Sequence, residues 1–172
     1  MIVIEHFLGQ SVEVPDDRRY HIPQGLWCCK QDAFLVFGLT QPALVLMGGI
    51  KDVDWLRQEG EPVQSGDSAI FAITGKILYL ETPIPGTVHY HKTLKEHLDI
   101  LGKDPYGEGW LFKIRPVGDP WEAYHSLALP EKYLASLQAS EGCKNPQGLK
   151  GGVSGICKAV YSGIGQQKLS KS

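Results

Sequence analysis

The sequence predicts a mainly β protein with flanking helices. Glycine and proline, 20 and 11 in a chain of 172 residues, divide the first 120 positions into short runs rich in β-branched and aromatic side chains. Two of these runs, Ser68–Ile73 and Ile77–Glu81, flank Thr74-Gly75-Lys76, a spacing that closes a hairpin. Helix-start signals are few and fall at Thr40, Thr93 and Asp119.

Taken in order, residues 1–8 are apolar but short, with Glu5 among them and no basic start, and read as a strand and not as a signal peptide. Residues 26–30 and 33–37 read as paired strands around Gln31-Asp32. Thr40-Gln41-Pro42 opens a short helix, with Thr at the N-cap and Pro in the first turn, and Gly48-Gly49 stops it. A strand at residues 50–56 leads to the turn Gln58-Glu59-Gly60-Glu61-Pro62. In the central hairpin a two-residue loop with Gly first suits a type II′ turn, so Gly75-Lys76 forms the tip and carries the Lys76 ammonium far from the core. Residues 87–91 continue as a strand. The Thr93-x-x-Glu96 box predicts a helix to about Leu101, stopped by Gly102. After a strand at residues 110–114, Asp119-Pro120-Trp121-Glu122 opens a helix, and Pro130 separates it from a second at residues 131–139.

Composition excludes several classes. A formal charge of -2 gives nucleic acid and anionic membranes no electrostatic hold. No apolar run approaches the roughly 18 residues of a membrane span, which points to the cytoplasm. The cysteines are the adjacent pair Cys28-Cys29, then Cys143 and Cys157, without any Cys-x-x-Cys or Cys/His metal spacing, and read as free thiols. His89 and His91 share a strand face but lack a third clustered ligand. Gly66 to Lys76 is no phosphate loop, because Ile70 and Ile77 replace its glycine and hydroxyl. From Gly142 onward come five lysines, seven glycines and no acid, a composition that predicts a mobile tail with a short ordered piece near residues 156–161. Within it Cys143, beside Lys144, is the thiol most open to reaction and a candidate redox group.

Four blocks, in matching order, resemble the glycine-cleavage H proteins. Asp104-Pro105-Tyr106-Gly107-Glu108-Gly109-Trp110-Leu111-Phe112-Lys113-Ile114 resembles the family's closing signature. Phe37-Gly38-Leu39-Thr40, Gly60 to Asp67, and Pro83-Ile84-Pro85-Gly86-Thr87-Val88 resemble three further family motifs. The resemblance covers residues from about 20 to 125, most of the chain. The resemblance implies a barrel-sandwich hybrid (hammerhead) lipoyl-domain fold with lipoate held in amide linkage on a hairpin lysine. Lys76 stands ten residues after Gly66, where the family has that lysine, and seven before Pro83, where the family usually has eight. The usual Glu-Ser-Val-Lys-Ala-x-Ser-Asp reads here Ile73-Thr74-Gly75-Lys76-Ile77-Leu78-Tyr79, without the acids. The Thr-Gly-Lys tip, Val14-Pro15-Asp16-Asp17 and Glu141-Gly142-Cys143 resemble the H-like lipoate-binding proteins of heterodisulfide-reductase-like sulfur oxidation.

The resemblance therefore implies a non-catalytic carrier that shuttles a group on a lipoyl-lysine arm at Lys76: aminomethyl in glycine cleavage, or sulfur in the H-like pathway. Its partners are a lipoate attachment enzyme and the enzymes of one of those systems, with no nucleic acid and no membrane. The expected organisation is an N-terminal extension at 1–19, a carrier domain with C-terminal helices at 20–140, and a Gly/Lys-rich tail at 141–172. The altered hairpin motivates one alternative, an H-like interaction module without the lipoyl group.

Overall fold

The computed structural model describes residues 1–149 of the chain. The expected ordered piece at residues 156–161 and Cys157 lie outside them. The chain opens with a hairpin of β1 (Ile2–Phe7) and β2 (Gln10–Val14). A six-stranded antiparallel sheet follows, built from β3 (Arg19–His21), β4 (Leu26–Gln31), β5 (Phe34–Leu39), β7 (Pro62–Val63), β10 (Gly86–Tyr90) and β11 (Phe112–Pro116) in the order β3-β4-β5-β11-β10-β7. The third sheet is β6 (Asp52–Trp55), β8 (Ser68–Ile73) and β9 (Ile77–Glu81), with β8 in the centre and β9 at an edge.

The helices are short: α1 (Gln41–Met47), α2 (Ile100–Lys103), α3 (Pro120–His125), α4 (Pro130–Gln138) and α5 (Glu141–Lys144), with 3-10 turns at Ile22–Gln24 and Lys92–Glu96. Thr40 caps α1 through its hydroxyl, which accepts from the Ala43 amide at 3.1 Å, and Gly48 ends the helix at φ +77°. Asp119 caps α3 in the same way at the Glu122 amide. The Thr93 box does not form its helix. Residues 92–96 make a 3-10 turn with no side-chain cap, and Gly102 lies inside α2 instead of ending a longer helix. The neighbouring amides close i→i+3 turns, from Leu94 to the His91 carbonyl and from His97 to that of Leu94.

Alternation along the strands sets two cores. Leu35, Phe37, Val88 and Ile114 face Val53, Ile70, Ala72 and Leu80 of the three-stranded sheet, and all are buried. On the opposite face of the large sheet, Trp27 and Val36 pack with Phe7, Val12, Val14, Tyr20, Tyr133 and Leu137. Gly38 is needed there, since a Cβ would stand 2.6 Å from the Trp27 ring. The closing block folds as a turn around Asp104: its carboxylate accepts from the Glu108 amide (2.9 Å) and its carbonyl from that of Gly109 (2.9 Å). Trp27 Nε1 donates to the Pro105 carbonyl, and Tyr106 bonds both Glu13 and Gln41. This turn therefore fastens the N-terminal hairpin to α1.

The tail expected to be mobile from residue 141 is ordered over its first nine positions. Gly142 lies against Phe7 so closely that a Cβ would meet the ring at 2.2 Å, and the Leu8 and Gly9 amides donate to the Gly142 and Pro146 carbonyls. Low apolar content does not prevent order here, because the backbone is bonded to the turn between β1 and β2.

Candidate functional site

Strands β8 and β9 pair from Ser68↔Glu81 to Ile73↔Ile77, which leaves Thr74, Gly75 and Lys76 as a three-residue loop. The type II′ expectation is corrected on two counts: the loop is one residue longer, and Gly75 is not among the glycines with positive φ. Thr74 takes over the closing role. Its amide donates to the Lys76 carbonyl at 2.8 Å, and its buried hydroxyl lies 3.3 Å from both the Lys76 amide and the Lys76 carbonyl. One hydroxyl can accept the first and donate to the second, so the tip is held from beneath. Lys76 itself is exposed at the end of the hairpin, as the sequence placed it.

Beside the tip opens a groove of about 530 Å³. Its walls are Leu78 and Leu80 of β9, Ala43, Leu46 and Met47 of α1, Tyr133 and Leu137 of α4, and Ile22 and Pro23 of the 3-10 turn. Gln24, Thr74, Ser136 and Ser140 add polar atoms, and Lys76 is the one charged side chain among the described lining residues. The Ser136 and Ser140 hydroxyls already donate to their own helix at Tyr133 and Leu137. Tyr133 is fixed by its bond to Thr40 (2.5 Å) and by stacking on Tyr20 at 4.7 Å. Burial raises its phenol from 10.0 to about 12, so it stays neutral at physiological pH.

Gln24 was not singled out in the sequence, yet it fixes the outer edge of the hairpin. Its side-chain amide donates to the Tyr79 carbonyl and accepts from the Glu81 amide, both at 2.8 Å. That is the bonding a neighbouring strand would give to β9, and it ties the β8–β9 hairpin to the large sheet. No local signal marks it, because its partners lie 55 and 57 residues away.

The other sequence candidates lie apart from the groove. Cys143 is half-buried in α5 against the second core. Cys28 is buried and Cys29 half-buried, as opposite-facing neighbours on one strand must be. Burial pushes both thiols up, while the Arg18 guanidinium opposes the shift. His89 Nδ1 lies 2.6 Å from Glu59, whereas His91 stacks on Trp110 at 4.5 Å and bonds its carbonyl. The two imidazoles are thus committed to different partners. Among the described residues no group of three or more His, Cys, Asp or Glu could hold a metal ion, and no helix is long and apolar enough to cross a membrane.

Two small sheets enclosing one core, with a lysine-tipped hairpin above an apolar groove, define a scaffold of the barrel-sandwich lipoyl type. The glycine cleavage H-protein family model matches residues 18–140, and the chain belongs to that family. A probable glycine cleavage system H protein of Aeropyrum pernix is 32% identical over 114 residues, covering 65% of this chain and 78% of that protein. The glycine cleavage system H protein of Gloeobacter violaceus is 31% identical and covers 74% of this chain and 98% of its own. A crystal structure of a glycine cleavage system H protein from Mycobacterium marinum shares the fold, with a TM-score of 0.60 at 23% identity over 72% of this chain and 98% of that one. Members of the family carry lipoate covalently on a lysine.

Proposed function

We propose that this chain is a lipoate-bearing carrier whose attachment residue is Lys76, and that residues 20–140 form the carrier unit. The observation that carries the reading is the pairing of Lys76 with its groove. Lys76 is the lysine at the tip of a braced hairpin, and it supplies the one charge among the described lining residues of a mainly apolar groove.

The residues fit the group. Amide formation joins Lys76 Nζ to the carboxyl carbon of an activated lipoyl donor. The ammonium gives up one proton to a base on the attachment enzyme before attack and a second as the amide forms, while the bond from that carbon to its activating group breaks and the electron pair leaves with that group. The cation disappears, so the groove then lines an uncharged arm with Leu46, Met47, Leu78 and Leu80. Lipoate supplies a dithiolane that undergoes reversible thiol–disulfide exchange. This chain contributes the rest: Thr74 holds the tip, Gln24 holds the strand behind it, and the groove excludes water from an arm lying along it. None of these roles is catalytic, which supports a carrier subunit served by the enzymes of a glycine cleavage system. A cytoplasmic setting belongs to the same reading, since Cys28, Cys29 and Cys143 are all free thiols.

The test is the intact mass of the chain produced with lipoate-attachment enzymes, alongside Lys76→Ala. One added lipoyl group that vanishes in the variant is the expected result. A chain that no attachment system modifies sinks the carrier reading, as does a modified Lys76→Ala protein.

A further inference from the structure

The outward face of the carrier hairpin departs from what an open antiparallel sheet shows. Such a sheet is apolar towards its core and polar towards water. Here the inward positions are Ala72, Leu78 and Leu80, yet the outward pairs are Ile73↔Ile77 and Phe71↔Tyr79. Ile77 and Tyr79 are 56% and 52% exposed, and Ile73 is exposed as well. Phe71 and Tyr79 meet edge to face at 5.7 Å, so the pairs form a ladder and not scattered side chains. On the next strand Asp52 pairs with Ile73 and Asp54 with Phe71, and both acids are gathered by Lys95 at 3.1 and 2.9 Å. The ladder is thus bordered by charge on the β6 side and ends at Lys76 on the other.

We propose that this ladder is the surface on which the lipoate-attachment enzyme docks, through an apolar rim around its acyl-transfer site. The inference rests on Lys76 being the attachment residue. Geometry selects this occupant over the enzymes that later use the arm. To form the amide, an active site must enclose Lys76 Nζ itself, and Ile73 and Ile77 stand one residue beyond the three-residue loop that holds it. An enzyme that works on the far end of the arm acts a full arm's length from Lys76 Nζ and need not enclose the tip. An exposed apolar ladder on an edge strand is a hazard unless a partner uses it. Neither β8 nor β9 offers a charged side chain on this face before Glu81, so the centre of the contact is apolar.

The experiment measures initial rates of lipoyl transfer from an activated lipoyl donor to the full chain by time-resolved intact mass. Ile73→Thr/Ile77→Thr and Tyr79→Thr remove apolar surface while keeping strand preference, and Val3→Thr removes an exposed apolar side chain on another sheet. The expected result is a kcat/KM lower by about tenfold or more in the ladder variants, through KM, with circular dichroism that shows each variant folded at the assay temperature and an unaffected Val3→Thr. Equal rates in wild type and ladder variants overturn the docking surface while leaving the carrier standing. A loss confined to kcat, or a wild-type dimer that the variants split without slower modification, overturns it too. If the wild type takes no lipoyl group at all, the carrier reading fails and the docking surface with it.

Discussion

Thr74 is buried at a place where hairpin loops usually face water, because its hydroxyl serves two backbone groups of Lys76 at once. Thr74→Val keeps the shape and removes both bonds, leaving the Thr74 amide to hold the tip alone. A loss of about 1 kcal/mol is the expected scale for hydrogen bonds of this kind. The loss should appear as a lower urea midpoint with an unchanged m-value; a midpoint equal to wild type would show that the hydroxyl does not brace the tip. The position of Lys76 at a hairpin end was legible in the sequence, through the two β-rich runs that flank it. The partner that supports it was not, since a Thr-Gly-Lys string does not say whether a two- or a three-residue loop will form. Register decides that, and register is set by the inward positions Ala72, Leu78 and Leu80, which must face the core.

At the scale of elements, the strands and the helices at Thr40 and Asp119 were readable because their signals are local: caps, prolines, glycines and alternation along a few residues. The Thr93 box had the same local credentials and failed: residues 92–96 close as a 3-10 turn with no side-chain cap. Contacts across long separations left no trace in the sequence. Gln24 reaching β9 and α5 closing on Phe7 are both of that kind. Gln24→Ala tests the first. With its acceptor gone, the Glu81 amide should exchange with deuterium roughly fivefold faster, the factor that corresponds to one hydrogen bond of about 1 kcal/mol. Amides within the β4–β5 pair should keep their protection. Unchanged exchange at Glu81 would mean that the side chain does not act as the missing strand.

Across the whole molecule, the layers are joined by phenol hydroxyls. Tyr90, on the six-stranded sheet, donates to the Ala69 carbonyl of the three-stranded sheet at 3.1 Å. Tyr133 ties α4 to Thr40, Tyr106 donates to Glu13 at the end of the N-terminal hairpin, and Tyr20 donates to Pro15. Burial raises all four phenols, with Tyr90 and Tyr133 moved from 10.0 to about 12. The folded chain therefore keeps these protons to higher pH than the unfolded chain does. Their contribution is complete below pH 10 and is lost as the pH climbs from 10 through about 12, because unfolding over that window releases protons. Each such tyrosine can remove up to about 1.4 kcal/mol per pH unit there. Cys28 adds to the loss with the same sign, from its ordinary value of 9.0 upward. Urea midpoints across this range should fall steeply, in step with phenolate absorbance appearing on unfolding. Tyr90→Phe and Tyr133→Phe isolate the cause: each starts less stable by its lost hydrogen bond and then falls less steeply with pH than wild type. Identical slopes in all three proteins would exclude the tyrosines as the source, and a midpoint flat through pH 12 would exclude phenol ionisation as the weak point of the assembled fold.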